Sequence, residues 1–268
     1  MKPGKRFGAG KTAEVYEYGE NKVIKLFHHH MALENILQEY ELSQLINSLG
    51  IPSPSVDGLL NVSNKWGMIF EKIEGRSLTA QLLSGHLKIA QLAKVFAEVQ
   101  FNFHQKEAVE FPSYTLSLAN AISETVLSYK EKQTILNLLV HLPDCSSICH
   151  GDYHTDNVIA HNGLAVVLDW MTAKCGNPAA DVARTYMLMT YASLPEEMSI
   201  AEKDILQQIR TIFPDEYLHS YIEFANILKE DILKWEIPVM AARLNESIPE
   251  TEKAFFKREI RKRISCSM

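Results

Sequence analysis

His150-Gly151-Asp152-Tyr153-His154-Thr155-Asp156-Asn157 (HGDYHTDN) is followed, twelve residues after Asn157, by Asp169-Trp170 at the end of the run VVLDW. Between them Val158-Ile159-Ala160 and Leu164–Leu168 are short apolar runs separated by His161-Asn162-Gly163, the signature of a hairpin. Such a hairpin returns Asp169 to the side of Asn157. Phosphoryl transfer needs a carboxylate beside the accepting hydroxyl and oxygen ligands for magnesium. Asp152 suits the first task, and Asn157 and Asp169 suit the second. Four residues separate Asp152 from Asn157.

Upstream, the first 75 residues suggest a small sheet with one helix. Thr12–Tyr18 and Val23–Phe27 are β-rich, with Gly19-Glu20-Asn21 as the turn between them. The next stretch carries Leu33, Ile36, Leu37, Tyr40, Leu45 and Leu49 at helical spacing, with Gly50 as a stop. Strands around Ser55–Val62 and Gly67–Ile73 follow, joined by Ser63-Asn64-Lys65, and a short first strand is expected before Gly8. After Gly75 helical patterns dominate, through about 77–106, 115–128 and 131–141, and again from Ala179 with breaks at Pro195, Pro214, Pro238 and Pro249. The fold class expected is α+β, two-lobed: residues 1–74 a β-rich lobe with one helix, residues 75–268 a larger helical lobe, with the active site in the cleft.

The quoted motifs resemble those of the aminoglycoside phosphotransferase and choline kinase superfamily, whose fold is protein-kinase-like. The loop of that family, HGD-x-H-x-x-N, is matched at His150, Gly151, Asp152, His154 and Asn157, its magnesium aspartate at Asp169, and its G-x-P-x-x-D segment at Gly176, Pro178 and Asp181. The resemblance implies that Asp181 braces the catalytic loop by hydrogen bonds. It also implies ATP and Mg2+ as cofactors, Asp152 as the catalytic group, and Asn157 and Asp169 as metal ligands. A kinase further requires a glycine-containing turn over the phosphates and a lysine held by an acid. Gly8-Ala9-Gly10-Lys11-Thr12 supplies the turn, so Gly8, Gly10, Lys11 and Thr12 are candidate nucleotide contacts. Lys25 falls where the lysine of the family falls, and Glu39 is the expected partner, with Glu34 and Glu41 competing on the same helix. GMIFEKIEGRSL resembles the segment that lines the adenine pocket, so backbone groups from Phe70 to Ile73, Glu71 and Ile73 among them, would read adenine.

Other readings compete. GAGKT is not a Walker A loop, because the required first glycine falls on Lys5. Cys145-x3-Cys149-His150-x3-His154 is too compact for a tetrahedral zinc site. A metal-dependent hydrolase built on His150, Asp152 and His154, and a nucleotide-binding pseudokinase without catalysis, are the alternatives to a phosphotransferase. His28-His29-His30 reads as a surface turn before the first helix.

Asp169 is followed within twelve residues by Asp181, which leaves little room for a peptide-docking platform. The acceptor is therefore expected to be a small molecule bearing a hydroxyl. Between residues 185 and 256 there are 13 Asp plus Glu and 6 Lys plus Arg, a net of −7, which favours a cationic acceptor such as an aminoglycoside or amino alcohol. Trp235, Tyr217 and Tyr221 are the aromatic residues that a quaternary ammonium cage could use.

Composition bounds the rest. The 268 residues are 46% hydrophobic and 22% charged, enough for a sizeable core and unlike a disordered chain. A net charge of −6 argues against general nucleic-acid binding. Cys145, Cys149, Cys175 and Cys266 do not form a disulfide framework. With no apolar leader and no apolar run of membrane-spanning length, the expectation is a cytoplasmic protein with reduced thiols and no membrane partner.

Overall fold

The computed structural model describes residues 3–10, 12–62, 64–85, 88–161, 163–194 and 198–266. The chain opens with strands β1 (Arg6–Ala9), β2 (Ala13–Glu17) and β3 (Lys22–Phe27), helix α1 (Leu33–Ser48), and strands β4 (Val56–Val62), β5 (Lys65–Glu71) and β6 (Arg76–Ser77). Helices α2 (Leu78–Ser84), α3 (Ile89–His104), α4 (Tyr114–Glu124) and α5 (Tyr129–Val140) follow. Then come β7 (Ser147–Cys149), a 3-10 turn at Thr155–Asn157, β8 (Val158–His161), β9 (Leu164–Val167), a second 3-10 turn at Trp170–Thr172 and β10 (Lys174–Gly176). The chain closes with α6 (Pro178–Tyr191), α7 (Ile200–Ile209), α8 (Phe213–Ala225), α9 (Lys229–Leu233), α10 (Glu236–Arg243) and α11 (Glu250–Cys266).

Two compact units result: Met1–Leu78 with Asp156–Thr172, and Thr79–Thr155 with Ala173–Met268. Where a single break near residue 75 was expected, the first unit runs to Leu78 and the hairpin 156–172 groups with it. The reason is strand pairing. Arg76 and Ser77 of β6 face Ala160 and Ile159 of β8, making a small sheet of order β6-β8-β9.

In the first unit the main sheet is antiparallel with order β1-β2-β3-β5-β4. Its turns use positive φ where expected: Gly19 (71°) and Asn21 (54°) between β2 and β3, and Asn64 (65°) between β4 and β5. One face of the sheet, Ala13, Phe27 and Met68, packs on Ile36 of α1. That helix ends at Gly50, whose φ of 67° lets its amide reach Asn47 O. The buried stripe of α1 is Ile36, Glu39, Leu42, Ser43 and Ile46. This corrects the apolar face expected from sequence, since Leu33 and Leu37 are exposed. A charged residue lies on the inner stripe.

The second unit is built on α3, whose Leu92, Ala93, Phe96, Ala97, Gln100, Phe103 and His104 recur at helical spacing and are buried. Phe96 stacks on Tyr153 at 4.2 Å and touches Phe213 and Tyr217 of α8. The helix expected over 77–106 is two helices, because Gly85 takes the left-handed conformation (φ 66°) after α2. α6 begins with Asn177 capping the Ala179 amide and Pro178 in its first turn. Among the described residues no helix is long and apolar enough to cross a membrane.

Candidate active site

Alternation along β3 places Lys25 and Phe27 on the face that α1 covers, with Ile24 and Leu26 on the other. Glu39, three residues from both Ile36 and Leu42 on α1, points back at that face. Lys25 Nζ lies 2.6 Å from Glu39 Oε1 and 3.1 Å from Asp169 Oδ1. Glu34 and Glu41 are exposed, so Glu39 is the partner. Burial pushes the Lys25 ammonium down, but Asp169 and Glu39 outweigh it and leave its pKa above the ordinary lysine value. The desolvation falls on Glu39, whose burial raises its carboxyl despite the lysine. Its Oε2 has no hydrogen-bond partner among the described residues.

Asp169 arrives by the hairpin. Val158 pairs with Val167, and the Leu168 amide donates to Asn157 O at 2.8 Å, which brings Asp169 next to Asn157 along the ladder. Asp169 has a φ of 58°, a left-handed conformation that costs a residue with a Cβ on the order of 1 kcal/mol. Trp170 anchors the turn, donating Nε1–H to Val167 O at 3.1 Å. Asn157 and Asp169 offer an amide oxygen and a carboxylate, hard donors of the kind magnesium takes. The donor chemistry fits that ion.

The glycine turn is more committed than the sequence implies. Gly8 lies within β1, opposite Val15. The Gly10 amide donates to Ala13 O, its carbonyl contacts the His28 ring at 3.2 Å, and Thr12 O accepts from the His28 amide. These backbone groups hold the hairpin and the adjoining His28 turn. Lys11 lies outside the described residues. At the end of β5 the Glu71 amide donates to Ser55 O and the Lys72 amide to Asn21 O. The Glu71 carboxylate accepts from Ser55 Oγ at 3.1 Å. Ile73 follows β5 in the segment that leads to Gly75.

In the second unit Asp152 sits on the loop after β7, 38% exposed. Asp181, fully buried on α6, accepts the His150 amide at 3.0 Å and the Gly151 amide at 2.7 Å. Gln100 Nε2 and His104 Nε2 also reach its Oδ2. A carboxylate only accepts, so Nε2 of His104 donates to it, while Nδ1 meets the Tyr221 hydroxyl at 2.6 Å. Burial alone would raise the Asp181 carboxyl; the His104 ring, the His150 ring and the Gly151 amide bring it down to about 2. The loop-bracing expected of Asp181 is present.

Three readings change here. His150 is fully buried and its Nδ1 accepts the Asp152 amide at 3.2 Å, so it braces the loop and does not present itself to a hydrolytic metal. No group of three or more His, Cys, Asp or Glu side chains among the described residues is placed to hold a metal ion. The aromatic cage is likewise corrected. Trp235, Tyr217 and Tyr221 are buried to 1% exposure or less, and the tyrosine hydroxyls are spent on Gln100 and His104. Many acids of residues 185–256 are partnered internally: Glu236 with Arg263, Glu246 with Arg184 and Arg243, Glu252 with Arg243, Asp231 with Lys234. That part of the negative charge is answered within the fold.

Arg184 was not singled out from sequence. It stands one helical turn after Asp181, with Nη2 3.5 Å from Asp152 Oδ1 and Nε donating to Gly151 O. The available signal was the i, i+3 spacing from Asp181 on one helix face.

The family model for APH, the phosphotransferase enzyme family, matches residues 3–204. No curated protein sequence matches the chain. Among solved structures the chain is similar to APH(2")-IIa in a streptomycin–ATP ternary complex, at 14% identity and a TM-score of 0.60, covering 96% of this chain and 90% of that one. It is also similar to a choline/ethanolamine kinase family protein from Mesorhizobium loti, at 14% identity and a TM-score of 0.58 over 99% and 92% of the two chains. An aminoglycoside-3'-phosphotransferase of type VIII matches at 16% identity and 0.57 over 89% and 91%. The fold is thus the two-lobed, kinase-like α+β fold, and with the family model spanning most of the sequence, the chain belongs to the phosphotransferase enzyme family.

Proposed function

We propose that the protein transfers the γ-phosphoryl group of ATP to a hydroxyl of a small molecule. The observation that carries this reading is Lys25 Nζ held 2.6 Å from Glu39 and 3.1 Å from Asp169. That is the lysine–acid pairing beside a metal-ligand aspartate that positions nucleotide phosphates. Family membership supports the reaction class. Lys25, fixed by Glu39, engages the phosphates; Gly8, Gly10 and Thr12 of the β1–β2 hairpin contribute backbone beside them, Lys11 is a candidate from sequence alone, and Glu71 and Ile73 present backbone to adenine. With the Glu71 and Lys72 amides used in the sheet, the adenine contacts fall to the remaining backbone groups of 71–73.

Asn157 and Asp169 would hold Mg2+, which supplies charge neutralisation on the phosphate oxygens. Asp152 orients the acceptor hydroxyl and takes its proton at a carboxylate oxygen. Catalysis is then mostly positioning and charge stabilisation. The named neighbours act on or bind aminoglycosides and choline-type alcohols, and we extend that class, small hydroxyl compounds bearing amines, to this acceptor.

The test is ATP consumption measured against a library of hydroxyl compounds, aminoglycosides and amino alcohols included, with Asp152→Ala alongside. A general base contributes about 10^2–10^4 in rate. The variant is expected to lose turnover by that factor while still binding ATP. Near-normal turnover in Asp152→Ala would remove the base assignment. Consumption that is blind to Lys25→Ala would remove the phosphotransferase site itself.

A further inference from the structure

We infer that Arg184 is a positioning residue for Asp152, acting as one half of a two-sided clamp on Gly151. This rests on the reading of Asp152 as the group that handles the acceptor hydroxyl. Gly151 precedes Asp152 and has a φ of 77°, a conformation that gives the loop its sharp course and that no side chain stabilises from within. It is held from outside on both sides. Its amide donates to Asp181 Oδ1 at 2.7 Å, and its carbonyl accepts from Arg184 Nε. Asp181 and Arg184 are three residues apart on α6, so one face of one helix supplies both contacts.

The guanidinium does more than hold the carbonyl. Its Nη2 lies 3.5 Å from Asp152 Oδ1, and its Nη1 donates to Glu246 Oε1 at 2.7 Å. Each of its three nitrogens thus faces a different partner, a reach that the planar fork provides and the single nitrogen of a lysine, with its donors on one point, does not. The outer partner is fixed in turn. Glu246 Oε2 accepts from Arg243, whose Nε donates to the buried Glu252 at 3.0 Å, and Glu252 accepts the Ser193 amide at 2.8 Å. Arg184 is only 11% exposed at its side chain. A guanidinium anchored this way has one placement, and the Asp152 carboxylate inherits its position from it. On the other side of the carboxylate, His154 Nε2 stands 3.7 Å from Asp152 Oδ2, so Arg184 sets one oxygen while the second faces the histidine.

The experiment is a double-mutant cycle of Asp152→Ala and Arg184→Lys in the full chain, read as ATP hydrolysis with water in the place of the acceptor. Melting temperature and the KM for ATP are measured on each variant. Arg184→Lys keeps the charge and loses the fork. Displacing a reacting group by about 1 Å costs on the order of 100-fold in rate. Arg184→Lys is therefore expected to lower kcat by about that factor, with the KM for ATP within about twofold of the parent. Glu246→Gln, which keeps Arg184 and loosens its anchor, should lower kcat less and again leave KM alone. Because Arg184 acts through Asp152, the double variant should be no slower than Asp152→Ala.

Additive losses in the cycle would overturn the proposal, as would Arg184→Lys at parental kcat. So would a fall in melting temperature with unchanged kcat, since Arg184 would then serve stability alone. Should Asp152→Ala itself prove harmless, the base reading fails first, and that outcome is distinct from a harmful Asp152→Ala beside a harmless Arg184→Lys.

Discussion

Asp181 shows how one side chain can carry a whole loop. It gathers two backbone amides, Gln100 and His104 in full burial, and its carboxyl stands at about 2 against an ordinary 3.8. A depressed folded pKa contributes stability that is fully present above the unfolded value and lost as pH falls through the folded one. The difference corresponds to about 2 kcal/mol, present above about pH 4 and gone below about pH 2. Urea denaturation at stepped pH should therefore show the parent losing about 2 kcal/mol more than Asp181→Asn across that window. Parallel curves would mean that Asp181 has no titrating role. HGD and the later G-x-P-x-x-D made Asp181 legible in sequence. The partners Gln100 and His104, on a helix 77 and more residues upstream, were not. Nothing in their local pattern marks them as anything but helix residues.

At the scale of elements, the close approach of β10 to α4 shows why the second motif begins with glycine. A Cβ on Gly176 would stand 2.5 Å from Tyr114 Cβ, an atom next to the α4 backbone that cannot swing aside. Gly176→Ala should cost about 1–3 kcal/mol by overpacking, read as a lower urea midpoint at unchanged slope; an unchanged midpoint would show that α4 yields. The face of α1 makes the opposite point. Apolar spacing favoured Leu33 and Leu37, yet the helix turns Ile36, Glu39, Leu42 and Ile46 inward. Once Lys25 lies on the covered face of β3, a carboxylate must come down with the helix to meet it. The placement of Glu39 three residues from Ile36 and from Leu42 was the sign, read correctly only beside Lys25.

For the whole molecule, nucleotide binding is a stability statement. A ligand at 100 times its Kd that binds only the folded chain stabilises by about 2.7 kcal/mol. Saturating ATP with Mg2+ should raise the melting temperature by several degrees, measured by calorimetry, and EDTA should remove most of the shift while a zinc-selective chelator leaves it. No shift with Mg2+ and ATP would argue against the nucleotide site. The net charge of −6 proved less informative at this scale than its distribution, because Asp231, Glu236 and Glu252 of α9 to α11 meet arginines and lysines of the same chain. The sequence by itself determined which residues are candidates for the reaction, the hairpin that returns Asp169 to Asn157 and most of the order of strands and helices. Those depend on chemistry and spacing within a few tens of residues. Only the tertiary structure decided that Glu39 rather than Glu34 or Glu41 meets Lys25, that the tyrosines and Trp235 are core, and that Arg184 grips the loop. Each of these depends on which groups are brought together from distant stretches of chain, where burial and hydrogen-bond satisfaction choose among partners that local pattern leaves equal.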